Sequence, residues 1–179
     1  MRFVIVTGMS GAGKSTALKM LEDMGYFCAD NLPVPLIPKF AELLSVPGTE
    51  MNKAALGVDI RSGQSFKELE RVLSELDEAG LTYEILFLES SDDVLIKRYK
   101  ETRRFHPLSG SNQRVDKGIA EEREKLSFLK EKANYLLDTS HMLTRELKGE
   151  LNKIFVENKE YKNLYITVLS FGFKYGIPS

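Results

Sequence analysis

Residues 2–16 read Arg2-Phe3-Val4-Ile5-Val6-Thr7-Gly8-Met9-Ser10-Gly11-Ala12-Gly13-Lys14-Ser15-Thr16. A short apolar, β-branched run enters a glycine-rich turn, and an amphipathic segment follows from Thr16. Strand, then G-x-x-x-x-G-K-[ST], then helix is the context that gives this motif, the P-loop, its meaning. Gly8 and Gly13 permit φ values that a side chain resists. The turn then aims successive backbone N–H groups at one point, an anion nest reinforced by the positive end of the helix dipole. Lys14 is placed to reach the β- and γ-phosphates of a nucleotide as a mobile point charge. The Ser15 hydroxyl is placed to ligate Mg²⁺, which prefers oxygen donors and phosphates. A ligand-free glycine turn is the plain alternative, and motif, position and context argue together against it. Residues Gly8 to Thr16 are therefore the expected nucleotide cradle.

The rest of the chain alternates in the same rhythm. Ala17, Leu18, Leu21 and Met24 mark one face of a helix that Gly25 stops. A strand over Tyr26–Ala29 ends at Asp30. The prolines of Asp30-Asn31-Leu32-Pro33-Val34-Pro35 delay the next helix, whose face is Leu36, Ile37, Phe40, Leu43 and Leu44. Strands are expected at Ala54–Ile60, Thr82–Leu88, Tyr135–Asp138 and Leu164–Leu169. Ser65-Phe66-Lys67-Glu68 reads as a capping box, and Thr139-Ser140 as the start of the last long helix. Apolar strands alternating with helices predict an α/β, three-layer fold: a mainly parallel sheet covered by helices on both faces. Ligands of such sheets bind beyond the carboxyl ends of the strands, which gathers the P-loop, Asp30, Asp59, Glu89 and Asp138 on one rim.

Composition narrows the classes. At 179 residues the length suits one domain with a full core, and the net charge of −1 gives no global pull toward nucleic acid or anionic lipid. A single cysteine, Cys28, rules out an intrachain disulfide and reads as a small core residue. No apolar run approaches a membrane span, and the amino end enters a strand with no leader pattern. The expectation is a cytoplasmic protein.

A second acid at a strand end commonly completes the Mg²⁺ shell, and Asp59 is the best placed, with Lys14 its catalytic partner. Arg61 is either a phosphate or base contact or a solvated loop residue. From Arg103 to Asp116 periodicity fails. Arg98, Arg103, Arg104 and Arg123 flank or occupy that stretch, as arginines do on a lid that clamps phosphates and excludes water. A charged helix end would look similar. His106 reads as packing or as a base, and Asp138-Thr139 as a helix cap or part of a purine pocket, the cap being favoured. No Glu or Gln stands out for positioning water, so slow hydrolysis is expected.

Several segments resemble the RapZ/YvcJ family of bacterial nucleotide-binding proteins. They are the run from Val6 to Ala17, Asp30-Asn31-Leu32-Pro33, Asp59-Ile60-Arg61, the stretch from Arg98 to Leu108, Glu122-Arg123-Glu124-Lys125-Leu126, and the stretch from Ser170 to Pro178. The resemblance implies a kinase-like P-loop domain that binds and hydrolyses ATP and GTP. It assigns Gly8–Ser15 to ATP and Asp59, Ile60, Arg61 and Ser62 to GTP. Some members act as RNase adaptors that bind a small RNA and sense an amino-sugar phosphate, largely through a second domain. In the family, Ser-Phe-Gly-Phe-Lys-Tyr-Gly opens that domain, so the chain reads as a truncated form: residues 1–160 a nucleotide domain, 161–179 a linker and the start of the next. RNA or an RNase is then a partner of the full-length family, and a homo-oligomer remains open. Three activities follow: slow ATP and GTP hydrolysis by a regulatory domain, a small-molecule kinase with Asp30 or His106 as base, or an adaptor that only binds nucleotide.

Overall fold

A computed structural model describes residues 2–46, 52–58, 63–102 and 115–157. The chain runs β1 (Arg2–Gly8), α1 (Lys14–Asp23), β2 (Phe27–Asp30), a 3₁₀ turn (Val34–Leu36), α2 (Ile37–Ser45), β3 (Lys53–Gly57), α3 (Gly63–Glu78), β4 (Glu84–Glu89), α4 (Asp92–Thr102), α5 (Val115–Lys132), β5 (Tyr135–Asp138) and α6 (Thr144–Phe155). The five strands form one sheet in the order β2-β3-β1-β4-β5, and every pairing is parallel.

The sheet is parallel because the strands leave no face for water. Phe3, Val4, Ile5 and Val6 are consecutive, so they point alternately to both faces, yet none is more than 1% exposed. Only helices on both sides can do that. On one side α1 packs on β1, β2 and β3 and meets α6. On the other, α2 meets α3, α3 meets α5, and α5 lies against β1 and β4. Apolar stripes supply the contacts: Ala17, Leu18 and Leu21 on α1, as expected, with Leu69, Val72, Leu73 and Leu76 on α3 and Leu147, Leu151 and Ile154 on α6, are all buried.

Register sets the working rim. Gly8 pairs with Leu88, Asp30 with Gly57, and Glu89 with Asp138, so these strand ends lie level. At the opposite end, Phe155 is held edge-on by Tyr26 and Tyr135, and the Arg2 guanidinium lies 4.8 Å from its ring centre. Arg2 also pairs with Glu84 at 2.7 Å. That cluster anchors α6 away from the rim.

Local expectations fail at identifiable places. Helix α3 begins at Gly63, two residues before the opening expected at Ser65. Helix α6 begins at Thr144, not at Thr139-Ser140; its Leu143 N–H donates to Glu146 Oε2 at 2.7 Å. Leu36 and Leu43, expected inward, are 50% and 53% exposed, because the 3₁₀ turn sets the phase of α2 and turns Ala41 inward instead. The strand expected over 164–169 lies outside the described residues. Among the described residues no helix is long and apolar enough to cross a membrane.

Cys28 is the packing residue its surroundings suggested. Its thiol donates to the Leu18 carbonyl at 3.3 Å, and burial, helped by the Glu22 charge, pushes its pKa up to about 11. At pH 8 its thiolate fraction is about a hundredfold below that of an ordinary cysteine. Ellman's reagent should accordingly label the folded protein far more slowly than the protein in guanidinium; equal rates would contradict this packing.

Candidate functional site

The loop between β1 and α1 turns on glycines. Gly8, Gly11 and Gly13 have φ of 131°, 87° and 104°. Gly8 sits against β4 and Gly13 caps α1. A Cβ built on Gly13 would meet nothing within 4 Å, so the loop opens there onto free space.

The loop's amides divide into two groups. The Met9 N–H donates to the Leu88 carbonyl at 2.9 Å, that of Ala12 to the Met9 carbonyl at 3.0 Å, and that of Ser10 to both oxygens of Glu122 at 3.1 Å. These hold the loop's shape. The amides that open α1, at Lys14, Ser15 and Thr16, belong to the first turn, where a helix offers no internal acceptor. They make up the positive end of the helix dipole, the place where a helix can receive an anion. Lys14 arches back across the loop: its Nζ donates to the carbonyls of Gly8 at 2.8 Å and Met9 at 3.2 Å.

Ser15 and Asp30 meet at the rim. The Ser15 hydroxyl donates to Asp30 Oδ2 at 3.2 Å, and both residues are exposed. Gly57, paired with Asp30 across β2 and β3, makes this meeting feasible. A Cβ on Gly57 would lie 2.5 Å from both Asp30 Oδ1 and Leu18 Cδ1. The donors here are hard oxygens beside an open, positively poised loop, a set that suits a polyphosphate with Mg²⁺.

The loop's carbonyls are held from the β4–β5 side. Arg98, on α4, donates through Nη1 to the Gly11 carbonyl at 2.9 Å and through Nη2 to the Thr139 carbonyl at 2.8 Å. Thr139 follows β5, is buried, and donates its hydroxyl to the Ala12 carbonyl at 2.8 Å. This corrects the helix-cap reading of Asp138-Thr139. Asp138 instead accepts from the Ser140 amide and hydroxyl in its own turn, and Thr139 serves the P-loop. Glu89 pairs with Lys130 at 2.7 Å, and Arg123 with Asp92 at 2.6 Å and the Ser90 carbonyl at 2.9 Å.

The structure thus gathers Gly8 to Thr16 on one loop and adds Asp30, Arg98, Thr139 and Glu122. Asp59, Ile60, Arg61, Ser62, Arg103, Arg104 and His106 lie outside the described residues. Glu122 had a readable signal that the pattern analysis passed over. It occupies a core position in the stripe Ile119, Leu126 and Leu129, where a carboxylate needs a partner.

The family model described as RapZ-like N-terminal domain matches residues 1–159. The chain belongs to the RapZ-like family. A relative named "Nucleotide-binding protein" from Lachnoclostridium phytofermentans is 64% identical over 179 residues, all of this chain and 62% of that protein. Another of the same name, from Agathobacter rectalis, is 60% identical over all of this chain and 61% of that protein. The chain therefore spans about three-fifths of the length of these RapZ-like relatives. Two shikimate kinases share the fold. That of Bacteroides thetaiotaomicron superposes with TM-score 0.55 at 16% identity, covering 86% of this chain and 97% of that one. That of Acinetobacter baumannii, solved with shikimate, gives 0.55 at 17%, covering 89% and 96%. The parallel sheet with helices on both faces is a P-loop kinase-like fold.

Proposed function

We propose that this chain is a nucleotide-binding regulatory domain. In this reading the loop Gly8–Thr16 takes the polyphosphate of ATP or GTP, and turnover is slow. The observation that supports it best is the loop itself: three glycines at positive φ open a cradle at the start of α1, with the Lys14 ammonium folded across it. The names of the relatives agree with it. Lys14 leaves the two carbonyls to meet the phosphates. Ser15, with Asp30 beside it and Asp59 as the second acid, would hold Mg²⁺, which when bound neutralises charge on the terminal phosphates. Asp59–Ser62 would serve GTP, and Arg103 and Arg104 would close over the site. In the same reading residues 1–160 are the nucleotide domain, and 161–179 a linker and the start of the next. RNA or an RNase would be a partner of the full-length family, a homo-oligomer is an assembly this reading allows, and the setting it implies is cytoplasmic.

Phosphate release measured with ATP and with GTP, each with and without Mg²⁺, tests the reading. The expected result is slow release that requires Mg²⁺ and does not rise with added metabolites. Turnover that climbs with one hydroxylated acceptor would make the domain a small-molecule kinase. Calorimetry showing no binding of either nucleotide would overturn the proposal.

A further inference from the structure

Glu122 is buried at 2% exposure, 112 residues along the chain from the loop residue it touches. It reaches the loop from α5, through a layer that is otherwise apolar. Both its oxygens accept from the Ser10 N–H at 3.1 Å, and Oε1 also accepts from the Ser10 hydroxyl at 2.6 Å.

The peptide unit involved gives this contact a consequence. The N–H of Ser10 and the C=O of Met9 belong to one planar group. On one side that group donates to Glu122. On the other its carbonyl accepts from Lys14 Nζ at 3.2 Å and from the Ala12 N–H at 3.0 Å. A carboxylate on the N–H end fixes the plane and polarises the carbonyl, which strengthens the bonds made at the far end. Glu122 and Lys14 therefore grip the two ends of the same amide, and Lys14 must release its end to meet a phosphate.

We infer that Glu122 is a positioning residue for Lys14. By holding the Met9–Ser10 peptide from α5, it sets the resting place of the ammonium and so the affinity of the loop for polyphosphate. The bland alternative is that Ser10 merely satisfies a carboxylate stranded in the core. That alternative gives Glu122 an effect on stability and none on Lys14. The affinity part rests on the proposed nucleotide site; the lysine part does not.

The test uses the full chain as wild type, Glu122→Gln and Glu122→Ala, with no nucleotide. Lysines are labelled briefly with acetic anhydride and read residue by residue by mass spectrometry. Lys39, which is exposed and pairs with Glu42 on its own helix, serves as internal reference alongside Lys19. Lys14 labelling relative to these should rise about three- to tenfold in Glu122→Ala, and less in Glu122→Gln, which keeps an oxygen acceptor for Ser10. The Kd for Mg-ATP should change in the same order across the three proteins. A lowered melting temperature with Lys14 labelling unchanged would overturn the inference. If Glu122→Ala fails to fold, the isosteric Glu122→Gln decides it alone. Failure of the wild type to bind Mg-ATP would sink the proposed function and leave the labelling result to judge Glu122.

Discussion

Lys14→Ala should raise the Kd for Mg-ATP by about two to three orders of magnitude while leaving the melting temperature nearly unchanged. The two halves of that expectation have separate causes. Lys14 lies in the first turn of α1, half-buried, and its ammonium donates to the Gly8 and Met9 carbonyls of its own loop. Those carbonyls stay reachable by water once the side chain is gone, and alanine is the best helix former, so the fold loses little. Binding loses the one cation that the motif supplies to the β- and γ-phosphates. Truncating one member of a hydrogen-bonded charge pair costs about 3–4 kcal/mol, and each 1.4 kcal/mol is tenfold in Kd. Isothermal titration beside a thermal melt checks both. Retained tight binding would show that the nucleotide enters elsewhere. A melt lowered by many degrees would show that the lysine holds the loop together.

What the sequence made legible is what short-range chemistry decides. The strands stood out because both faces of the sheet are covered, which turns each into an unbroken apolar run such as Phe3–Val6 or Ile85–Leu88. The cradle stood out because its glycines and lysine are neighbours in the chain. The rest of the site depends on partners far apart in sequence. Thr139 looked like a helix cap, since a hydroxyl beside a turn commonly is one. Its hydrogen bond goes instead to Ala12, 127 residues away, and α6 starts at Thr144 without it. Arg98 was grouped with lid arginines because charge near an aperiodic segment suggests one. It holds the Gly11 carbonyl from α4. Asp30 was read as a base for some acceptor. Its proximity to Ser15 follows from the β2–β3 register and from the missing Cβ of Gly57, which no local pattern announces. Glu122 shows where closer reading helps: a carboxylate in an apolar stripe is a local misfit, and a misfit in a helix demands a distant explanation.

Gly8 and Gly13 look equivalent in the motif, and alanine at each should expose how different they are. A Cβ on Gly8 would stand 1.9 Å from the Leu88 carbonyl oxygen, 2.6 Å from its nitrogen and 2.7 Å from its carbon. These are backbone atoms of β4, so no rotamer change relieves the clash. β1 is the central strand, and Met9 donates to that same Leu88 carbonyl. Relief requires prising β1 from β4, on top of holding alanine at a φ of 131°. Strain and overpacking of this kind cost about 4 kcal/mol or more, a large share of the roughly 5–15 kcal/mol that holds a domain together. At about 2–4 °C per kcal/mol for this size, Gly8→Ala should melt at least about 10 °C below wild type or fail to accumulate as folded protein. Gly13→Ala meets no atom within 4 Å and bears only the cost of its positive φ, about 1–2 kcal/mol, so it should fold. Its methyl group would instead project into the open space where the proposed function puts phosphate, and should weaken Mg-ATP binding. Two thermal melts and one titration separate the roles. If Gly8→Ala melted within a few degrees of wild type, β1 and β4 could not be as close as their register requires. If Gly13→Ala bound Mg-ATP as tightly as wild type, the open side of the loop would not be the side that receives the ligand.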